Sequence, residues 1–127
     1  MKISKLLIKK VKETVNYAYA PYSKIKVGAV LYCKDGKVYT GTNIENSSFS
    51  LTICAERVAL FKALSEGASQ FSLLLLYSPQ LDFITPCGAC LQVLSEFVPD
   101  LTIATMNRND EFKFLSLMVL LKTPFKL

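Results

Sequence analysis

Three thiols and one carboxylate in this 127-residue sequence have the types and spacing for metal chemistry. Cys54-Ala55-Glu56 is followed, after a gap, by Pro86-Cys87-Gly88-Ala89-Cys90. Three thiolates can hold a zinc ion by three corners of a tetrahedron and leave the fourth open to water. A carboxylate two residues from the first thiol is then placed to move that water's protons. Cys87 and Cys90 are three apart and share one face of a helical turn, so they can grip one ion together. Cys54 must arrive from another element. If both segments begin helices, the partial positive charge of two helix amino ends favours thiolate over thiol. A Cys-x-x-Cys read alone is equally a pair of buried thiols or half of a structural zinc knuckle. Cys54 and Glu56 in register with it favour a catalytic metal. A fourth cysteine, Cys33, leaves a closed four-thiolate site as an alternative. Its phase with Ile25, Val27, Ala29 and Leu31 makes a small buried hydrophobe the preferred reading.

Composition narrows the chemistry further. The sequence has no histidine, which excludes Ser-His-Asp and Cys-His catalysis and any zinc site built on imidazole. Acid–base work near neutral pH then falls to a carboxylate, a thiol or a metal-activated water. The net charge is +5, with Lys2, Lys5, Lys9, Lys10 and Lys12 close together near the start. That cluster reads as the solvated face of a helix. A nucleic-acid binder would interleave its basic residues with exposed aromatics in a recognisable module, and none is present, so no nucleic-acid partner is expected. The longest apolar run, Phe71–Tyr77, is too short to span a membrane and suits a strand buried on both faces. Residues 1–15 interrupt their apolar positions too often for a secretory signal. A reducing cytoplasm, where thiols bind metal more readily than they pair, is the expected address.

The elements that must position these groups can be read from periodicity. One domain is expected over residues 1–127, large enough to bury about two-thirds of its unfolded surface. Ile3, Leu7, Val11 and Val15, with Leu6 and Ala18, recur at helical spacing and predict a helix ending before Pro21. Alternation over 25–33, the turn at Asp35-Gly36 and a return over 37–42 predict a hairpin. A second helix is predicted over 52–66, closed by Gly67, and a third strand at Phe71–Tyr77. Pro86 suits the first turn of a helix over 86–97, with Pro99 beyond its end. Strands over 101–106 and 111–114 and a short helix over 116–121 complete the chain. The strand–helix–strand order from 71 to 106 implies a right-handed crossover and a parallel pair. The result is an α/β fold, a mixed five-stranded sheet flanked by helices. Ligands in such sheets sit beyond the carboxyl ends of strands, where helices begin, and both cysteine segments fall at predicted helix starts.

Four segments carry a resemblance along nearly the whole chain. They are Ala20-Pro21-Tyr22-Ser23-Lys24 with Val27-Gly28-Ala29, then Gly41-Thr42-Asn43-Ile44-Glu45-Asn46, then Cys54-Ala55-Glu56-Arg57, then Pro86-Cys87-Gly88-Ala89-Cys90 with Gln92. In order and spacing the sequence resembles the small homotetrameric zinc-dependent cytidine deaminases. Their signature is a known one among zinc nucleobase deaminases, and a cysteine can take the first ligand position. The resemblance implies the three-layer cytidine-deaminase-like fold and hydrolytic deamination of cytidine and deoxycytidine, with release of ammonia, in pyrimidine salvage. Zn2+ would sit on Cys54, Cys87 and Cys90, with Glu56 as the catalytic base and acid. Glu56 would take a proton from water, deliver it to N3 of the pyrimidine, and later protonate the departing amine. Asn43 and Glu45 would bind the ribose, Ala55 would also contact the substrate, and Phe125 would stack on the base of a neighbouring subunit's substrate in a homotetramer with shared sites. Three thiolates leave the site anionic, and Arg57 is the nearest residue able to draw that charge off. The sequence departs from the family at Ile25, where an aromatic is usual, at Leu91 for Arg, at Phe49 for Tyr and at Lys122 for Pro. Ile25 keeps a different aminated nucleoside or analogue as an alternative substrate, and a noncatalytic zinc-stapled domain is the alternative from another class.

Overall fold

The side-chain alternation of one strand organises the molecule, a computed structural model of which describes residues 2–127. Five strands form a single sheet among the described residues: β1 (Gly28–Cys33), β2 (Val38–Thr42), β3 (Phe71–Tyr77), β4 (Thr102–Met106) and β5 (Phe112–Ser116). Their order is β2-β1-β3-β4-β5. All neighbours are antiparallel except β3 and β4, which run parallel, as the crossover rule requires. Helices α1 (Lys5–Thr14), α2 (Ala55–Ser65), α3 (Gly88–Phe97) and the single turn α4 (Leu117–Leu120) cover it. Along β3, Leu73, Leu75 and Tyr77 pack with α1 residues Leu7 and Val11. Leu74 and Leu76 point the other way, against Ala59, Leu60, Leu91 and Leu94 of α2 and α3. A strand buried on both faces has little need for polar residues, which is why β3 is apolar apart from Ser72. The expected mixed sheet between two helical layers is what forms.

Local chemistry sets the ends of the elements. The Ser4 side chain caps α1 by accepting from the Leu7 N–H at 3.3 Å. Gly36 (φ +90) turns the hairpin, and Gly67 (φ +87) ends α2 where a left-handed backbone is needed. Gly41 of β2 has a different reason. A Cβ built there would lie 2.4 Å from the Ala55 carbonyl oxygen and 2.5 Å from the Ala59 nitrogen, so α2 rests directly on the strand backbone.

Several boundaries differ from those predicted. β1 begins at Gly28 rather than at 25, because the Asn43 side chain takes over the ladder positions upstream. Its Oδ1 accepts from the Val27 N–H and its Nδ2 donates to the Ile25 carbonyl, both at 2.8 Å. α2 begins at Ala55 rather than at 52, because Ile53 is extended and exchanges two backbone hydrogen bonds with Ile44, each at 3.0 Å. Pro86 lies one residue before the Cys87 cap of α3 rather than inside its first turn. β5 starts at Phe112 and runs on to Ser116, leaving α4 four residues.

Candidate active site

Cys54 and Cys87 occupy equivalent positions at the starts of two helices. Each is the N-cap residue, extended at φ −79, ψ 155 and φ −72, ψ 167 respectively, with no side-chain capping bond. Cys90 follows in the first turn of α3. The three Sγ atoms lie within 4.8 Å of one another, and those of Cys54 and Cys87 are 3.9 Å apart. Zinc–sulfur bonds of about 2.3 Å at tetrahedral angles place sulfurs about 3.8 Å apart, so the cluster fits a zinc ion held from one side. Because both are cap residues, the positive ends of two helix dipoles lie beside these sulfurs and favour their negative charge.

Cys33 takes no part in this cluster. It is buried in the apolar layer beneath α2 and pairs with Phe71 at the opposite end of β3 from Tyr77. That is about 17 Å along the strand from the end that carries the other thiols. Its thiol is pushed up by burial, as befits a packing residue.

Glu56 is only 5% exposed, in the first turn of α2. Burial pushes its carboxyl up to about 7, and the Cys54 thiolate adds to the rise. It shares a cavity of about 210 Å³ with Cys54, Cys87, Asn43, Val27 and Ile84, and Ala55 also borders that space. Cys54 is held low, at about 5, first by hydrogen bonding from Cys90 and then by Arg57 and Cys87. Cys90 moves the opposite way, because donating to Cys54 and being buried both favour its protonated form. Arg57 donates from Nη2 to Cys54 Sγ at 3.6 Å, and that contact raises its own pKa. Its Nε is buried without a partner, so the guanidinium has a further donor to spend on negative charge.

The remaining sequence-predicted residues are placed less directly. Asn43 borders the cavity while holding the 25–27 segment. Glu45 accepts from the backbone N–H groups of Tyr22 (2.9 Å) and Ser23 (3.2 Å) and from the Ser23 hydroxyl, which lowers its pKa. Both therefore organise the loop that forms one rim of the cavity. Each oxygen retains lone pairs for a further donor. Phe125 is not at the cavity. Its ring is 70% exposed beside α3.

Two glutamines complete the surroundings. Gln80 Oε1 accepts from the Lys26 N–H at 2.8 Å and so ties the two loops flanking the cavity together. No sequence signal marks an exposed loop glutamine for that role. Gln92 holds the chain at Phe125. It appears in the fourth motif segment, but its partner lies 33 residues away and is not legible from spacing.

Comparison with known proteins agrees with this geometry. Residues 1–106 match the family described as the cytidine and deoxycytidylate deaminase zinc-binding region. A cytidine deaminase of Sporosarcina psychrophila is 50% identical over 91 residues, covering 72% of this chain and 67% of that one. One from Halalkalibacterium halodurans is 48% identical over 94 residues, covering 74% and 71%. The crystal structure of cytidine deaminase from Burkholderia pseudomallei superposes with a TM-score of 0.90 at 40% identity, over 98% of this chain and 100% of that one. The family match runs through both cysteine segments to the end of β4, and the chain belongs to the zinc-dependent cytidine and deoxycytidylate deaminases.

Proposed function

We propose that residues 1–127 form one catalytic unit that hydrolyses cytidine and deoxycytidine to uridine and deoxyuridine, releasing ammonia. The observation that carries this reading is a nearly buried carboxylate, Glu56, sharing a cavity with Cys54 and Cys87 of a three-thiol cluster. Cys54, Cys87 and Cys90 would hold Zn2+, which would supply Lewis-acid activation of water. Glu56 takes one proton from the attacking water as its oxygen adds to C4, and delivers that proton to N3. It then carries the second proton of the added hydroxyl to the amino group. The C4–N bond breaks, ammonia leaves, and the N3 proton stays on the product. A nearly buried carboxyl that burial makes more basic suits a group that must both accept and return a proton.

Arg57 and the two helix starts offset thiolate charge, which otherwise opposes ionisation of the water. Asn43 and Glu45 accept or donate at the sugar hydroxyls, Ala55 offers its backbone at the base, and Phe125 of a second copy stacks on the ring. A homotetramer with shared sites is supported by the exposed apolar side chains of Phe49, Leu51, Met118, Val119 and Phe125. The cysteines are free, the state a reducing compartment maintains, and we place the reaction in cytoplasmic pyrimidine salvage. No helix among the described residues is long and apolar enough to cross a membrane.

The test is the ultraviolet absorbance of cytidine incubated with zinc-replete protein, with ammonia measured in parallel. Loss of the cytidine band with equimolar ammonia is expected. Release of ammonia only from another aminated nucleoside would move the substrate and keep the chemistry. No release from any, with zinc bound and the fold intact, would leave the cluster a structural staple.

A further inference from the structure

Gln92 lies two residues beyond Cys90 on α3. Positions two apart are rotated by about 200° around a helix, so its side chain leaves α3 on a different face from the thiol. There the carboxamide makes two hydrogen bonds to a single residue. The Phe125 N–H donates to Oε1 at 3.0 Å, and Nε2 donates to the Phe125 carbonyl at 3.0 Å. A side-chain amide thus pairs with the peptide donor and acceptor of one residue as a neighbouring strand would. The tail beyond α4 has no regular secondary structure of its own to fix that position.

The clamp holds the backbone of Phe125 and leaves the ring in solvent. The ring borders a separate groove beside Ser95, Glu96 and Pro99, away from the cavity at Glu56. That cavity has aliphatic walls, among them Val27, Ile53, Leu76 and Ile84, and no aromatic side chain borders it. A planar base there lacks a ring to stack on, while an exposed ring is carried elsewhere on a clamped backbone.

We propose that Gln92 is a positioning residue, fixing the Phe125 backbone so that its ring enters the nucleoside cavity of a second copy. The inference rests on the shared-site reading given above. Only an amide satisfies both bonds. Glutamate loses the donor and sets an anionic oxygen against the Phe125 carbonyl, and methionine keeps the length but supplies neither group.

Steady-state kinetics on cytidine would be compared for the zinc-loaded wild type, Gln92→Met, Gln92→Glu, Phe125→Ala and the Gln92→Met/Phe125→Ala double variant. Zinc content and mass by light scattering would be measured on each. Losing both hydrogen bonds in Gln92→Met, or losing one and facing the carbonyl with an anionic oxygen in Gln92→Glu, should raise KM about tenfold with kcat little changed. Zinc and mass should not change, and the double variant should be no worse than Phe125→Ala alone, because both act through one ring. A raised KM in Phe125→Ala with normal KM in both Gln92 variants would overturn the inference and leave the shared-site reading standing. An unchanged KM in Phe125→Ala would remove that reading's base-stacking residue and the inference with it. Additive losses in the double variant, or loss of zinc or of assembly in the Gln92 variants, would also overturn it by assigning Gln92 to a structural role.

Discussion

Replacing Gly41 by alanine tests how closely the site depends on the contact between α2 and β2. The added Cβ would meet the Ala55 carbonyl oxygen at 2.4 Å and the Ala59 nitrogen at 2.5 Å, with the Ala59 Cα at 3.1 Å. Those first two atoms are the acceptor and donor of one hydrogen bond in the opening turn of α2, the turn that holds Glu56 and follows Cys54. Backbone cannot rotate aside as a side chain can, so the helix start must retreat. Ordinary contact begins near 3.4 Å, which requires a displacement of about 1 Å. Overpacking of this kind costs about 1–3 kcal/mol. For a chain of this size each kcal/mol lowers Tm by about 4 °C, so a fall of about 4–12 °C is expected. Moving Cys54 and Glu56 by that distance should lower turnover by up to about 100-fold. Thermal unfolding of the zinc-loaded variant and its kcat on cytidine give the two numbers. An unchanged Tm together with unchanged turnover would refute the argument, because it would mean that the strand and helix separate without moving the site.

Glu56→Gln keeps volume and burial but cannot shuttle protons, so turnover should fall by about 1,000-fold while zinc stoichiometry stays the same. Retained turnover would remove Glu56 from the mechanism. In chelator-treated protein, a thiol reagent should label Cys87 and half-buried Cys54 first, with buried Cys90 and Cys33 slower. Zinc should protect the first two, and equal labelling with and without zinc would show that they are not ligands. Cys33→Ser puts a hydroxyl into an apolar layer and should cost about 1–3 kcal/mol in denaturant unfolding without loss of bound zinc. A matching loss of zinc would revive the four-thiolate alternative.

The thiol cluster was the most legible part of the molecule, because ligand spacing within three residues survives in the sequence as spacing on one helical turn. β3 was equally plain, since a strand covered on both faces is apolar almost throughout, with Ser72 its one polar residue. Cys33 was correctly separated from the other thiols by its phase with Ala29 and Leu31. What failed to show was the work of polar side chains across long separations. Alternation continues through Ile25 and Val27, so a strand starting there was a reasonable expectation. The Asn43 carboxamide, from the next strand's end, occupies the hydrogen bonds that a ladder would need. Thr52 and Ile53 have no helix-breaking residue between them and Ala55, yet pairing with Ile44 keeps Ile53 extended. Gln80 and Gln92 follow the same pattern, each defined by a partner more than thirty residues away.

In coordination-chemistry terms, β3 lies inside the chelate ring that an ion would close between Cys54 and Cys87. Cys54 leads into α2, α2 into β3, and β3 into the loop that ends at Cys87, so the ring between these two donors passes through the hydrophobic interior. Its closure is set by strand pairing to β1 and β4 and by the seating of Leu74 and Leu76 under α2 and α3. A donor set spaced by core packing is arranged before the ion arrives. A change at Leu74 or Leu76, neither of which carries a donor atom, therefore alters the spacing of the sulfurs. Metal selectivity is then a property to be tested at core positions as well as at the thiols.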